Sequence, residues 1–120
     1  MPRDALAYLL DIIESCDAIS AALAGLDLEG YQRNRLVHSS VEREFIIIGE
    51  AISALSRVAP DAFVSIAHAR RIVDFRNQLT HAYPTVDDAL EWAIADRDVS
   101  VLRDECAAQM KRMESEGEAD

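Results

Sequence analysis

The 120-residue chain has little of what breaks or cross-links a fold: three prolines, four glycines and two cysteines. Scarce proline leaves long helices uninterrupted. Cys16 and Cys106 lie far apart in apolar, helix-forming surroundings, so neither a disulfide framework nor a clustered metal knuckle is supported, and both are expected to be buried free thiols. Basic side chains are also in short supply, 12 Lys and Arg against 22 Asp and Glu, for a formal net charge of -10 at pH 7. Sequence-independent affinity for nucleic acid comes mainly from basic groups meeting phosphates. A general nucleic-acid binder is therefore excluded, and any such role rests on a local basic patch or a basic partner. The longest aliphatic run, "FIIIG", falls far short of the roughly 20 residues of a membrane span. The start, "MPRDALAYLL", runs into Asp11 and Glu14 without a signal-peptide core. A cytoplasmic protein of one domain, away from any membrane, is expected.

What the chain does have is apolar material, 50% of its residues, spaced at helical intervals. Leu6, Leu9, Leu10, Ile13, Cys16, Ile19 and Leu23 predict a first helix over residues 3 to 24, with Pro2 tolerated at its start and Gly25 as its stop. "LDLEGYQRN" reads as a connector with room for one helical turn. Leu36, Val37, Val41, Phe45, Ile48, Ile52 and Leu55 predict a second helix that ends before Pro60; the β-branched Ile46, Ile47 and Ile48 do not override that rhythm. Phe63, Ile66, Ile72, Phe75 and Leu79 predict a third helix, starting between Asp61 and His68 and finishing near His81, because Pro84 disfavours the α conformation at Tyr83. A fourth helix opens with Thr85 and acidic residues, carries Leu90, Ala93, Ile94, Val101, Leu102 and Cys106, and has a potential break near Val99. The acidic end, residues 113–120, is expected to fray. The sum is an all-α bundle of four main helices with one or two short extra turns.

Polar chemistry concentrates in "RNQLTHAY", residues 76 to 83. On an ideal helix Asn77 and His81, four apart, share a face, whereas Arg76 and His81, five apart, are rotated by about 140°. Arg76 and His81 converge only if the last turn is distorted or if a symmetric dimer supplies one from each subunit. The residue types suit phosphodiester cleavage: histidine exchanges protons near neutral pH, and arginine grips phosphate with a forked, permanently charged head. Tyr83 can orient phosphate or stack on a base, and Asn77 can hydrogen-bond the histidine. The same residues also fit a plain polar helix end, with arginine in solvent and histidine against the helix dipole. Both readings stand on chemistry alone. His38 and His68 have no histidine or cysteine at ligand spacing and are assigned packing or solvent-facing roles, with no metal expected. Glu42, Glu44 and Glu50 read as a solvated face. Arg70 and Arg71 either extend a basic patch or solvate the helix.

The order of "EREFIIIGEAISALS", "VDFRNQLTHAYPTVD" and "ALEWAIADRDVSVLRDE" resembles the HepT-like toxins of the HEPN superfamily, over about Arg3 to Met110. The most specific element is arginine, four residues, histidine, one residue, tyrosine, here Arg76, His81 and Tyr83, with Asn77 after the arginine. The resemblance implies a HEPN-type helical domain over residues 1–112 that forms a homodimer, with both copies of the motif around one cleft. It implies a metal-independent endoribonuclease toxin without cofactors, acting on RNA, with His81 as general acid or base, Arg76 as phosphate clamp and Asn77 in support. It also implies an MntA-like nucleotidyltransferase antitoxin that transfers AMP to Tyr83 and silences the site. A rival of another class is a non-catalytic binding subunit that docks a nucleotidyltransferase and helps position nucleotide or substrate, which the acidic surface suits. A purely structural helical dimer is the third possibility.

Overall fold

In the computed structural model, which describes residues 4–66, 69–81 and 87–119 (the side chains of 80, 81 and 117–119 excepted), the chain is all-helical, with no strand among the described residues. Helix α1, Ala5–Leu23, starts where the Asp4 carboxylate accepts a hydrogen bond from the Ala7 amide at 2.9 Å, a side-chain cap for an otherwise unpaired donor. It stops at Gly25, whose φ of +80° no other described residue shares. That positive φ is why glycine stands there. The connector holds one short helix, α2, Leu28–Arg33, capped by Asp27 at 2.8 Å from the Gly30 amide. Asn34 then caps the longest helix, α3, Arg35–Val58, at 3.1 Å from the Val37 amide.

The third predicted helix proves to be two. Pro60 initiates α4, Pro60–Val64, and the chain turns at Ser65, whose hydroxyl donates to the Asp61 carbonyl, before α5, Ala69–His81, begins. The apolar rhythm runs through the turn because Ile66 is buried as well, which is why periodicity alone joined the pieces. Helix α5 continues through His81, the last described residue before 87, so the expected end near His81 lies at the edge of the described residues. Thr85 lies outside the described residues; the cap seen for α6, Asp88–Ala93, is Asp87, whose carboxylate accepts from the Ala89 amide at 2.8 Å. The expected break near Val99 takes the form of a π-helical segment, Ile94–Asp98, leading into α7, Val99–Ala119. Where the sequence predicts fraying, α7 continues: Met113 packs against the core, and Arg112 holds Glu116 at 2.7 Å one turn on.

Each long helix buries residues in a three-then-four rhythm: Leu9, Ile12, Cys16 and Ile19 from α1; Val41, Phe45, Ile48, Ile52 and Leu55 from α3; Ile72, Phe75 and Leu79 from α5; Val99, Leu102 and Cys106 from α7. Helix α3 is central, packed on α1 and α5, while α7 covers α1. Phe45 meets Phe75 edge to face, with centroids 5.0 Å apart, which fixes α5 against α3. Each such apolar side chain stabilises the fold by about 1.5–3 kcal/mol on burial. Cys16 and Cys106 are free and buried, as expected; burial pushes both thiols up, Cys106 to about 12, so neither is a ready nucleophile.

A polar pair meets inside this apolar frame. Tyr31 of α2 and Glu91 of α6 are both fully buried, and the Tyr31 hydroxyl donates to Glu91 Oε1. The bond ties two six-residue helices, each too short to persist alone, to the bundle. Tyr31→Phe removes the donor and leaves that carboxyl oxygen buried without it, so a loss of about 1–3 kcal/mol in urea unfolding is expected. An unchanged midpoint would show that the bond adds nothing to stability.

Candidate functional site

Arg76 projects from α5 toward α3, and what lets it do so is the absence of a side chain at Gly49. A Cβ built on Gly49 would lie 2.6 Å from Arg76 Cγ and 2.8 Å from its Cβ, closer than atoms can approach. The Arg76 stem therefore lies directly over the α3 backbone. Its guanidinium is held at both ends of the fork: Nη2 is 4.0 Å from Glu50 Oε1, and Nη1 donates to Asn77 Oδ1 at 2.9 Å. With about a quarter of the side chain exposed, the head is anchored yet reachable from solvent. A preorganised arginine of this kind loses little freedom when it meets a phosphate.

Among the sequence-predicted site residues, the structure brings Arg76 and Asn77 together directly, although adjacent positions on a helix do not share a face. The long arginine side chain bridges the gap. His81 is the last residue of α5; its side chain, and all of Tyr83, lie outside the described residues. Arg71 is spoken for, since its Nε lies 3.0 Å from Asp98 in the π-helical segment. Arg70 and Arg71 both line a cavity of about 350 Å³, together with Asp74, Gln78 and Leu90, so the two neighbouring arginines face one acid there. Glu50, read from sequence as part of a solvated face, is exposed but has a position to fill beside Arg76.

The residues that sequence reasoning missed form a second constellation, on the far half of α3. His38 stacks on Tyr31 with ring centroids 4.2 Å apart, and its Nδ1 is 3.7 Å from the Asp88 carboxylate. Glu42, one turn along from His38, is half-buried rather than solvated. One ligand atom from each of His38, Glu42 and Glu91 lies within 4.8 Å of the others. Burial pushes the Glu91 carboxyl up, to about 8, and the nearby Glu42 and Asp88 push the same way against the opposing Tyr31 hydrogen bond. The local signal was the His38–Glu42 spacing of four, which puts both on one helix face; Glu91 was not visible from spacing.

The Ribonuclease HepT-like family model matches residues 12–108. Among curated proteins of Methanocaldococcus jannaschii, the chain is 30% identical over 103 residues to "Putative RNase MJ1380", covering 86% of this chain and 94% of that one. It is 26% identical over 116 residues to "Putative RNase MJ1216", covering 97% and 95%. No solved structure matches.

The Gly49 contact generates a direct test. Gly49→Ala forces α3 and α5 apart or swings the Arg76 stem off its seat, and overpacking of this sort costs about 1–3 kcal/mol. A lowered melting temperature by circular dichroism is expected, with helical content kept; a variant as stable as the wild type would mean that the crossing takes up a Cβ without cost.

Proposed function

The chain belongs to the Ribonuclease HepT-like family, and from that premise we propose that it is the toxin of a toxin–antitoxin pair, a metal-independent endoribonuclease whose reaction centres on Arg76 and His81. The observation that carries the reading is the seating of Arg76 over Gly49, its fork braced by Glu50 and Asn77, five residues before His81 at the end of α5. The acidic composition argues for a local phosphate grip over a broad basic surface, and this is such a grip.

The chemistry is that of the residue types. A histidine imidazole removes the proton from a ribose 2′-hydroxyl, the oxygen attacks the adjacent phosphorus, and the 5′-oxygen leaves with a proton returned to it, giving a 2′,3′-cyclic phosphate and a free 5′-hydroxyl. Arg76 stabilises the charge that builds on the phosphoryl oxygens. Base and acid roles need two proton carriers, and a homodimer supplies one His81 from each copy. Leu36, 83% exposed at the start of α3, and Leu10, 45% exposed on α1, are apolar surface that such pairing could cover. Tyr83, two residues beyond His81, is the proposed acceptor of AMP from a nucleotidyltransferase antitoxin; the added phosphate would repel RNA from the Arg76 grip.

Expression of the chain alone, with growth and total RNA monitored, tests the proposal. The wild type is expected to arrest growth and yield new RNA fragments with 5′-hydroxyl ends, and Arg76→Ala and His81→Ala to abolish both while retaining wild-type helical content. Fragments persisting in His81→Ala would remove histidine from the mechanism. Intact RNA with folded, abundant wild type would favour the docking subunit.

A further inference from the structure

We propose that His38, Glu42 and Glu91 form a binding site for one divalent ion of the zinc class, joining α3 to α6. The three residues come from two helices that meet only through folding: His38 and Glu42 are one turn apart on α3, and Glu91 is on α6. Their candidate ligand atoms all lie within 4.8 Å of one another. In a tetrahedral site with bonds of about 2.1 Å, ligand atoms stand roughly 3.4 Å apart. Closing the difference takes an adjustment of up to about 1.4 Å, within reach of the half-buried Glu42 side chain.

A second observation points to a missing partner. Glu91 is fully buried, and its Oε2 has no hydrogen-bond partner among the described residues; His38 Nε2 is likewise buried and unpartnered. Buried polar atoms in folded proteins are almost always satisfied, so an unsatisfied atom on each of two neighbouring side chains leaves room for a further group beside them. A cation fits the charge there: Glu42 and Glu91 meet each other, among the described residues neither pairs with arginine or lysine, and Asp88 adds a further negative charge beside His38.

The surroundings have the form that a metal's outer contacts take. The His38 ring is stacked on Tyr31 with the Asp88 carboxylate 3.7 Å from Nδ1, which leaves Nε2 as the nitrogen to ligate, and the Tyr31 hydroxyl holds Glu91 Oε1, leaving Oε2. One imidazole with two carboxylates suits zinc better than magnesium, which prefers oxygen ligands alone. Glu42 also lines a groove of about 500 Å³ with Ser39, Arg43, Ile46 and Glu50, so this one of the three groups borders open surface. From Glu42 to Glu50 is eight residues, about 12 Å along the helix. The ion would thus brace the fold away from Arg76, and its binding does not depend on RNA cleavage.

The test uses the full chain, stripped with EDTA and dialysed, with zinc chloride as the probe in calorimetric titration and thermal melts. Expected are one zinc per chain with a micromolar or tighter Kd, a rise in melting temperature of about 5 °C or more at saturation, and little response to magnesium. Glu91→Gln leaves a core position altered and need not fold well, so His38→Gln and Glu42→Gln, both on the sturdy α3, carry the decision. Each should weaken zinc binding at least 10-fold, while the double variant Cys16→Ala with Cys106→Ala keeps it. No saturable binding below about 100 μM, binding that survives His38→Gln and Glu42→Gln, or binding lost only with the cysteines would each overturn the proposal.

Discussion

A single hydrogen atom where every other residue would carry carbon decides how α3 and α5 meet. Because Gly49 has no Cβ, the Arg76 stem lies on the α3 backbone. The edge-to-face contact of Phe45, one turn before Gly49, with Phe75, the residue before Arg76, forms in the same crossing. Arg76 is therefore a structural residue with a polar end: its methylene groups fill the crossing and its guanidinium stays partly exposed. Packing of this kind explains why an arginine near a helix end need not be a loose, solvated one.

The frame was legible in the sequence because burial in this bundle follows strict helical spacing. The rhythm of Val41, Phe45, Ile48, Ile52 and Leu55 required a helix, and the same rhythm in α1 and α5 required partners for it. Boundaries were legible where the chemistry was local, as at Gly25. What escaped was decided at a distance. Tyr31 sits in a short, polar-looking connector, and nothing within "LDLEGYQRN" says that its ring is fully buried against a histidine and a tryptophan. Glu91 lies beside Trp92 in a segment whose acids suggest a solvated face, yet it is fully buried because α2 brings a hydroxyl to meet it. The turn that separates α4 from α5 was hidden because Ile66 keeps the apolar rhythm across it.

The motif was legible as residue types and only partly as geometry. Spacing separated Arg76 from His81 by about 140° on a helix, and α5 does run as regular helix through His81. The unanticipated element was the company Arg76 keeps: Glu50 comes from another helix and Asn77 reaches it sideways along its own. Such contacts depend on where α3 crosses α5, which the 49th position sets and no pattern of hydrophobicity records.

Between α6 and α7 the chain never leaves a helical path, yet the widened turn over Ile94–Asp98 re-aims the side chains of α7. A π turn holds one residue more than an α turn, so each side chain after it is displaced in phase by about 100°. Upstream, Glu91 points toward α2 and α3; downstream, Leu102 and Cys106 seal α1. One rod thus serves two differently oriented walls, like a key cut on two sides, and the residue count of that turn is as much a part of the fold's specification as the identity of any residue in it.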